Sequence, residues 1–311
     1  MNKFLVLGEA RSGTTSIAAL LGRLLETREL KFPVCGEVMP QLFATKLGSN
    51  EMYEFIHEKE TGFIANMNKK YQDFISEKRE LLKDDPSYYY GVDLSQDFFD
   101  HVVEVCVKNH CGMKELVRSK AFSTKLLKAI NKFNFKCFHT NRKNLLSTAI
   151  SIHISRQTQV WNLPPTIGYR KVVNKQWREK IDKCKIEPLE IDPLMNTLIG
   201  LESRQNFLEQ FKNENWMTIN FYDLYSAEVS IKDKAELFKQ ILDSIGLDVE
   251  KGCPCCDYKP YLKDFTYLEL VEKFFGNEKR VTTESTYKQI PNINEILSHF
   301  NSSFEELCER I

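Results

Sequence analysis

The chain has 311 residues, 42% of them hydrophobic, and its 43 lysines and arginines balance 43 aspartates and glutamates, giving a formal net charge of zero. The ordinary apolar fraction, with 21 Phe and 12 Tyr, supplies ample surface for a core and excludes a disordered chain. A neutral balance excludes a general binder of nucleic acid or anionic membranes, so any anionic ligand has to be held by local, positioned groups.

Residues 3–8 (KFLVLG) form a β-rich apolar run stopped by glycine, and Glu9 and Arg11 follow at once. The run is too short and too soon charged for a signal peptide, and no later run approaches the ~20 apolar residues of a membrane span. The alternating-face sequence SIAALLGRLLE comes next, with Thr14 or Thr15 placed to cap it, so the opening reads as strand, loop, helix. Residues 47–100 carry mixed charges, Pro86 and the aromatic triplet Tyr88, Tyr89 and Tyr90, and read as a helical insertion over the core.

Strands are expected at residues 111–117 (CGMKELV), 135–140 (FKCFHT) and 216–221 (WMTINF), each followed by helix-like sequence. Between them residues 162–192, rich in Pro and Lys, are long enough to form a lid or a partner surface. Helices are expected at 193–214 and 232–245, and the tail closes on an amphipathic helix over 293–309. Strands alternating with helices, without internal repeats, predict one α/β domain over residues 1–311: three layers, with a mainly parallel sheet flanked by helices.

The nine cysteines are odd in number and read as free thiols, which places the protein in a reducing cytoplasm. Cys253, Cys255 and Cys256 cluster, but the paired C-x-x-C…C-x-x-C spacing and a nearby histidine are missing, so the group reads as an unligated loop and no metal site is expected.

The chemistry gathers at G-E-A-R-S-G-T-T, residues 8–15, where a strand end meets a helix N-terminus and backbone N–H groups make a ready anion site. The spacing from Gly8 to Gly13 is P-loop-like, yet Thr14 stands where nucleotide triphosphatases carry the lysine that reaches the β and γ phosphates. The loop is suited to phosphate but not to triphosphate transfer; a plain ligand-free turn is the alternative.

R-S-G-T-T after a strand resembles the 5′-phosphosulfate loop of sulfotransferases that use 3′-phosphoadenosine 5′-phosphosulfate (PAPS), with Arg11 where cytosolic members have lysine. Arg142-Lys143-Asn144 after FKCFHT, with Ser151 nine residues beyond Arg142, is similar to the superfamily's 3′-phosphate site. The run from Ala149 to Trp161, with CGMKEL (111–116) and NFYDLYSAE (220–228), resembles the bacterial branch that sulfates glycolipids, trehalose and lipo-chito-oligosaccharides.

The resemblance implies a PAPS-dependent transfer of a sulfuryl group to a hydroxyl of a carbohydrate, glycolipid or related small acceptor, with no metal required. PAPS has two anionic ends. The N–H groups of Ser12, Gly13, Thr14 and Thr15 and the threonine hydroxyls suit the 5′ end, while Arg142 offers a planar fork to the 3′-phosphate and Ser151 a hydroxyl. Ser147, Ser151 and Ser155 are spaced by four, about 40° apart on a helix, and share one face. Arg11 and Lys114 are candidates for the bridging and peripheral oxygens as charge builds on the leaving phosphate. Glu37, in PVCGEVMP, resembles the glutamate after the corresponding helix of the bacterial branch and is the candidate base.

His139 and His153 are rival bases: His153 lies roughly 200° around the helix from Ser151, and His139 reads as a core residue. Glu115 alternates with Lys114 and is expected to anchor a basic neighbour across the sheet. Trp161 and the tyrosine triplet are candidates for stacking on adenine or sugar rings, with core packing the better reading for Trp161, and Lys279-Arg280 reads as a solvated face. The rival functions are a P-loop kinase or hydrolase and a non-catalytic nucleotide-binding protein of the same fold; a homo-oligomer stays open.

Overall fold

The computed structural model describes residues 3–25, 34–35, 38–43, 56–57, 62–81, 93–109, 112–160, 184–226, 228–248, 266–275 and 284–308. Strands β1 (Phe4–Gly8), β2 (Val34–Cys35), β3 (Gly112–Leu116), β4 (Lys136–Asn141) and β5 (Trp216–Asn220) form one sheet in the order β2-β3-β1-β4-β5, with every pairing parallel. All five residues of β1 are buried, as a central parallel strand covered on both faces requires. The expected α/β layering is therefore present, with β2 added. Two residues are too few to leave a periodic signal in the sequence.

The helices in chain order are α1 (Thr14–Leu25), α2 (Val38–Phe43), α3 (Lys69–Leu81), α4 (Gln96–Lys108), α5 (Lys120–Lys132), α6 (Leu145–Thr158) and α7 (Ile191–Glu209). Beyond these lie α8 (Phe221–Tyr225), α9 (Ile231–Ser244), α10 (Tyr267–Phe275), α11 (Glu284–Lys288), α12 (Ile293–His299) and α13 (Phe304–Leu307). Strand alternation sorts them into layers. Phe4, Val6 and Phe138 face α1, α9 and α10 in one core, while Leu5, Leu7, Met113 and Cys137 face α2 to α5 in another. A third core joins α6, α7 and the tail helices α11 to α13, and Ala10, just after β1, packs against it. Among the described residues no helix is long and apolar enough to cross a membrane.

Several expectations shift for physical reasons. The boundary at residue 100 cuts through α4, which Ser95 caps by accepting from Phe98 N–H and which buries Phe98, Phe99 and Val102 in the core. This part of the 47–100 stretch packs in the core that covers the Leu5, Leu7 and Met113 face of the sheet. The single tail helix expected over 293–309 is two helices. Asn301 turns left-handed at φ 48°, and Ser303 with Glu306 forms a capping box that starts α13 afresh. α7 ends at Glu209, five residues before the expected 214.

The core predicts its own energetics. Phe138 is fully buried on β4 with its ring 5.9 Å from Phe4, and Leu81 is 69% exposed. Phe138→Ala should destabilise by about 3–5 kcal/mol and Leu81→Ala by under about 0.5 kcal/mol, as read from urea midpoints at constant m-value.

Candidate functional site

The strand order reverses direction at β1: β2 and β3 lie to one side, β4 and β5 to the other. In an open parallel sheet such a reversal leaves a crevice at the carboxyl ends of the central strands, and the 8–15 loop sits there. Gly8 is required by closeness, since a Cβ there would collide with Thr140 Oγ1 on β4 and with Ser12 Oγ. Gly13 is required by conformation, with φ +91° and the Tyr225 ring 2.6 Å from where a Cβ would stand. Arg11 is left-handed too, at φ 71°, with a side chain that raises the cost of that backbone.

Ser12 closes the loop. Its N–H and its Oγ both donate to Glu9 O, at 3.2 and 2.6 Å, and the Oγ also meets Thr140 Oγ1 at 2.6 Å. The first bonds of α1 run from Ser16 and Ile17 N–H to Gly13 O, which puts the N-cap at Gly13, not at Thr14 or Thr15 as expected. Glycine offers no capping oxygen, and the N–H groups of Thr14 and Thr15 precede the helical ladder at its positive end.

Arg11 and Arg142 come together above this loop. Arg11 Nε donates to Ser151 Oγ at 3.0 Å, and Arg142 Nη2 donates to Ser147 Oγ and, at 3.5 Å, to Tyr287 OH. Ser147 and Tyr287 share a further hydrogen bond of 2.9 Å, and the Arg142 guanidinium lies 4.5 Å from the centre of the Phe221 ring. Burial pulls the Arg11 pKa down to about 10, and the charge of Arg142 pulls in the same direction. Both groups stay cationic at neutral pH, and each is oriented by hydroxyls.

The expected serine face is real: Ser147, Ser151 and Ser155 are all buried on α6. Ser151 accepts from Arg11 and Ser147 from Arg142. Lys114 is 7% exposed on β3 beside Val6, two rungs before the Gly8–Leu116 pair, and so is no exposed strand-end lysine. Glu115 lies on the opposite face as expected, accepting from Met39 N–H at 2.9 Å with Arg118 Nε 3.8 Å away.

The histidines are engaged elsewhere. His153 Nε2 meets Thr197 Oγ1 on α7 at 3.0 Å, while His139 is buried beside Trp216 and pushed down to about 4 by desolvation. Glu37, Trp161, Tyr88 to Tyr90, the 253–256 cysteines and Lys279-Arg280 lie outside the described residues.

Four site residues were not singled out from the sequence. Tyr287, on α11, and Phe221 orient Arg142, and Tyr225 donates from its hydroxyl to Gly13 O at 3.2 Å while stacking on Phe221 at 4.4 Å. The fourth is Glu9, inside the loop itself. It is 5% exposed, and both its carboxylate oxygens accept from Arg204 Nε of α7 at 2.9 Å. Burial holds its carboxyl up at about 7 despite that pairing.

The arrangement suits a ligand with two anionic ends. Loop and helix-start N–H groups offer one anchorage, and a guanidinium fixed by Ser147, Tyr287 and Phe221 offers a second, with Arg11 between α6 and the loop.

No family model matches the chain, and no curated protein matches it. Among solved structures, the chain is similar to the sulfotransferase domain from the curacin biosynthetic pathway, at 15% identity and a TM-score of 0.36, covering 97% of this chain and 98% of that one. It is similar also to the sulfotransferase domain from the Synechococcus PCC 7002 olefin synthase, at 13% identity and a TM-score of 0.34, covering 97% of this chain and 94% of that one. Both structures are sulfotransferase domains, and both similarities are low.

Proposed function

We propose that the protein is a PAPS-dependent sulfotransferase acting on a hydroxyl of a carbohydrate, glycolipid or related small acceptor. The observation that carries this reading is the pair Arg11 and Arg142, gathered at the strand ends beside an uncapped helix start and oriented by Ser151, Ser147 and Tyr287. A chain of zero net charge that concentrates two guanidiniums at a phosphate-type loop is organised for a compact polyanion. Thr14 in the lysine position argues against triphosphate transfer. The odd number of cysteines supports the reducing, cytoplasmic setting we propose.

In this reading the loop N–H groups of Gly13, Thr14 and Thr15 receive the 5′ end, and Arg142 receives the 3′-phosphate. Ser12 supports the loop from within. Transfer forms a bond from the acceptor oxygen to sulfur and breaks the bond from sulfur to the 5′-phosphate oxygen, in line. Arg11 and Lys114 neutralise the charge gathering on the leaving phosphate, as cations do in phosphoryl transfer. Ser151, by holding Arg11 Nε at 3.0 Å, keeps that guanidinium oriented. The acceptor proton passes to Glu37, a role that rests on the sequence resemblance.

Adenosine 3′,5′-bisphosphate should raise the melting temperature more than AMP does, in EDTA throughout. Arg142→Ala should erase that preference by about 1.5–3 kcal/mol; equal shifts from the two nucleotides would remove the 3′-phosphate assignment, and a shift only with magnesium and ATP would favour the kinase reading.

Arg11→Ala should lower turnover more than nucleotide affinity, because its partner charge develops in the transition state. If affinity collapses while turnover at saturation survives, Arg11 is a ground-state clamp.

Glu37→Gln should keep nucleotide binding and slow transfer by ~10²-fold or more. Wild-type turnover should decline as pH falls through the carboxylate range, and wild-type rates in the variant, with chemistry rate-limiting, would exclude Glu37 as the base.

A further inference from the structure

The ion pair Glu9–Arg204 has no part in the function proposed so far, although one of its members stands in the anion loop. Its geometry is lopsided. Arg204 uses Nε alone, centred between Oε1 and Oε2 at 2.9 Å from each. Among the described residues, the terminal Nη1 and Nη2 groups of Arg204 have no hydrogen-bond partner, and the side chain is 34% exposed. A guanidinium placed to neutralise one carboxylate makes two parallel bonds to it, which is the stronger arrangement. Here the terminal donors are left over.

A second feature concerns the helix that carries Arg204. Gly200 lies in the interior of α7, where glycine costs about 1 kcal/mol against alanine. A Cβ at that position would come within 3.3 Å of Arg204 Nη1, so the glycine leaves room for the guanidinium beside its own helix. The neighbouring Gln205 ties the same turn to the end of β4 by donating to Asn141 Oδ1 at 3.0 Å. Arg204 is thus bonded to Glu9 of the loop from a helix turn that is itself tied to the end of β4.

We propose that Arg204 is a further cationic ligand-binding residue of the site, beside Arg11, Lys114 and Arg142, anchored through Nε by Glu9 and presenting its two terminal NH2 groups to an anionic oxygen of the ligand on the loop. The proposal rests on the nucleotide reading above. Glu9 is then the positioning residue and Arg204 the contact. The other arginines of the site are already directed, Arg11 to Ser151 and Arg142 to Ser147 and Tyr287, and Arg204 is the charged group that acts on Glu9. An anion sharing Arg204 would weaken that hold on the carboxylate, whose pKa already stands at about 7. Loss of the two partners therefore has opposite consequences for an anion. Removing Arg204 removes a donor, whereas removing the charge of Glu9 removes a repulsion and keeps, in glutamine, an oxygen that accepts from Nε.

The experiment is calorimetric titration of adenosine 3′,5′-bisphosphate into wild type, Arg204→Gln and Glu9→Gln at pH 8, with the melting temperature of each unliganded protein measured alongside. Arg204→Gln should weaken binding by roughly 10- to 100-fold, the range for a charge-assisted hydrogen bond, and Glu9→Gln should bind at least as tightly as wild type. Equal losses in both variants, or no loss in Arg204→Gln, would make the pair a structural tie and overturn the proposal. If Arg204→Gln does not fold, Arg204→Lys replaces it: a loss of threefold or more supports the contact, and wild-type affinity rejects it. Wild type that does not bind the nucleotide would overturn the proposed function and this inference together, whereas wild type that binds alongside an unaffected Arg204 variant rejects this inference alone.

Discussion

Two like charges held close together in a partly dry crevice repel, and the site is organised around that repulsion. Burial first, and the charge of Arg142 second, draw the Arg11 pKa down to about 10. Hydroxyls from α6 and α11 and the face of Phe221 orient both guanidiniums without neutralising them. An anion would relieve such an arrangement, and the reversal point of the sheet is where the proposed ligand would meet the start of α1. The backbone at Arg11 is left-handed and its side chain reaches α6 at Ser151, while Gly8 closes on Thr140 where β1 pairs with β4.

The third core makes the site possible. α6, α7 and the tail helices pack on one another and on Ala10, so the side chains that orient the arginines come from segments far apart in the chain. Tyr287 reaches Arg142 across 145 residues, and Arg204 reaches Glu9 across 195. The tail is therefore part of the site's frame.

The local features were legible in the sequence because their signals are local. A β-rich run stopped by Gly8, the glycine spacing of the loop, and serines at intervals of four required no knowledge of tertiary contacts, and each stands in the structure where it was expected. Arg142 was legible as a basic residue just after a strand. The bonds from Arg11 to Ser151 and from Arg142 to Ser147 were not legible, because sequence spacing shows which residues share a face of α6 but not which arginine lies opposite each rung. Glu9 was passed over because a single carboxylate in a glycine loop carries no pattern, and only α7 folding over the loop gives it a partner. β2 was too short for periodicity, and the break at Asn301 depends on a capping box that competes with an otherwise continuous amphipathic pattern.

The central claim is that Arg142 and the loop hold the two ends of one nucleotide. A crystal structure of the complex with adenosine 3′,5′-bisphosphate tests it most directly. The account predicts the 5′-phosphate on the N–H groups of Gly13 to Thr15 and the 3′-phosphate within hydrogen-bond distance of Arg142. A nucleotide bound away from the loop, or one seated on the loop with its 3′-phosphate turned away from Arg142, would contradict it.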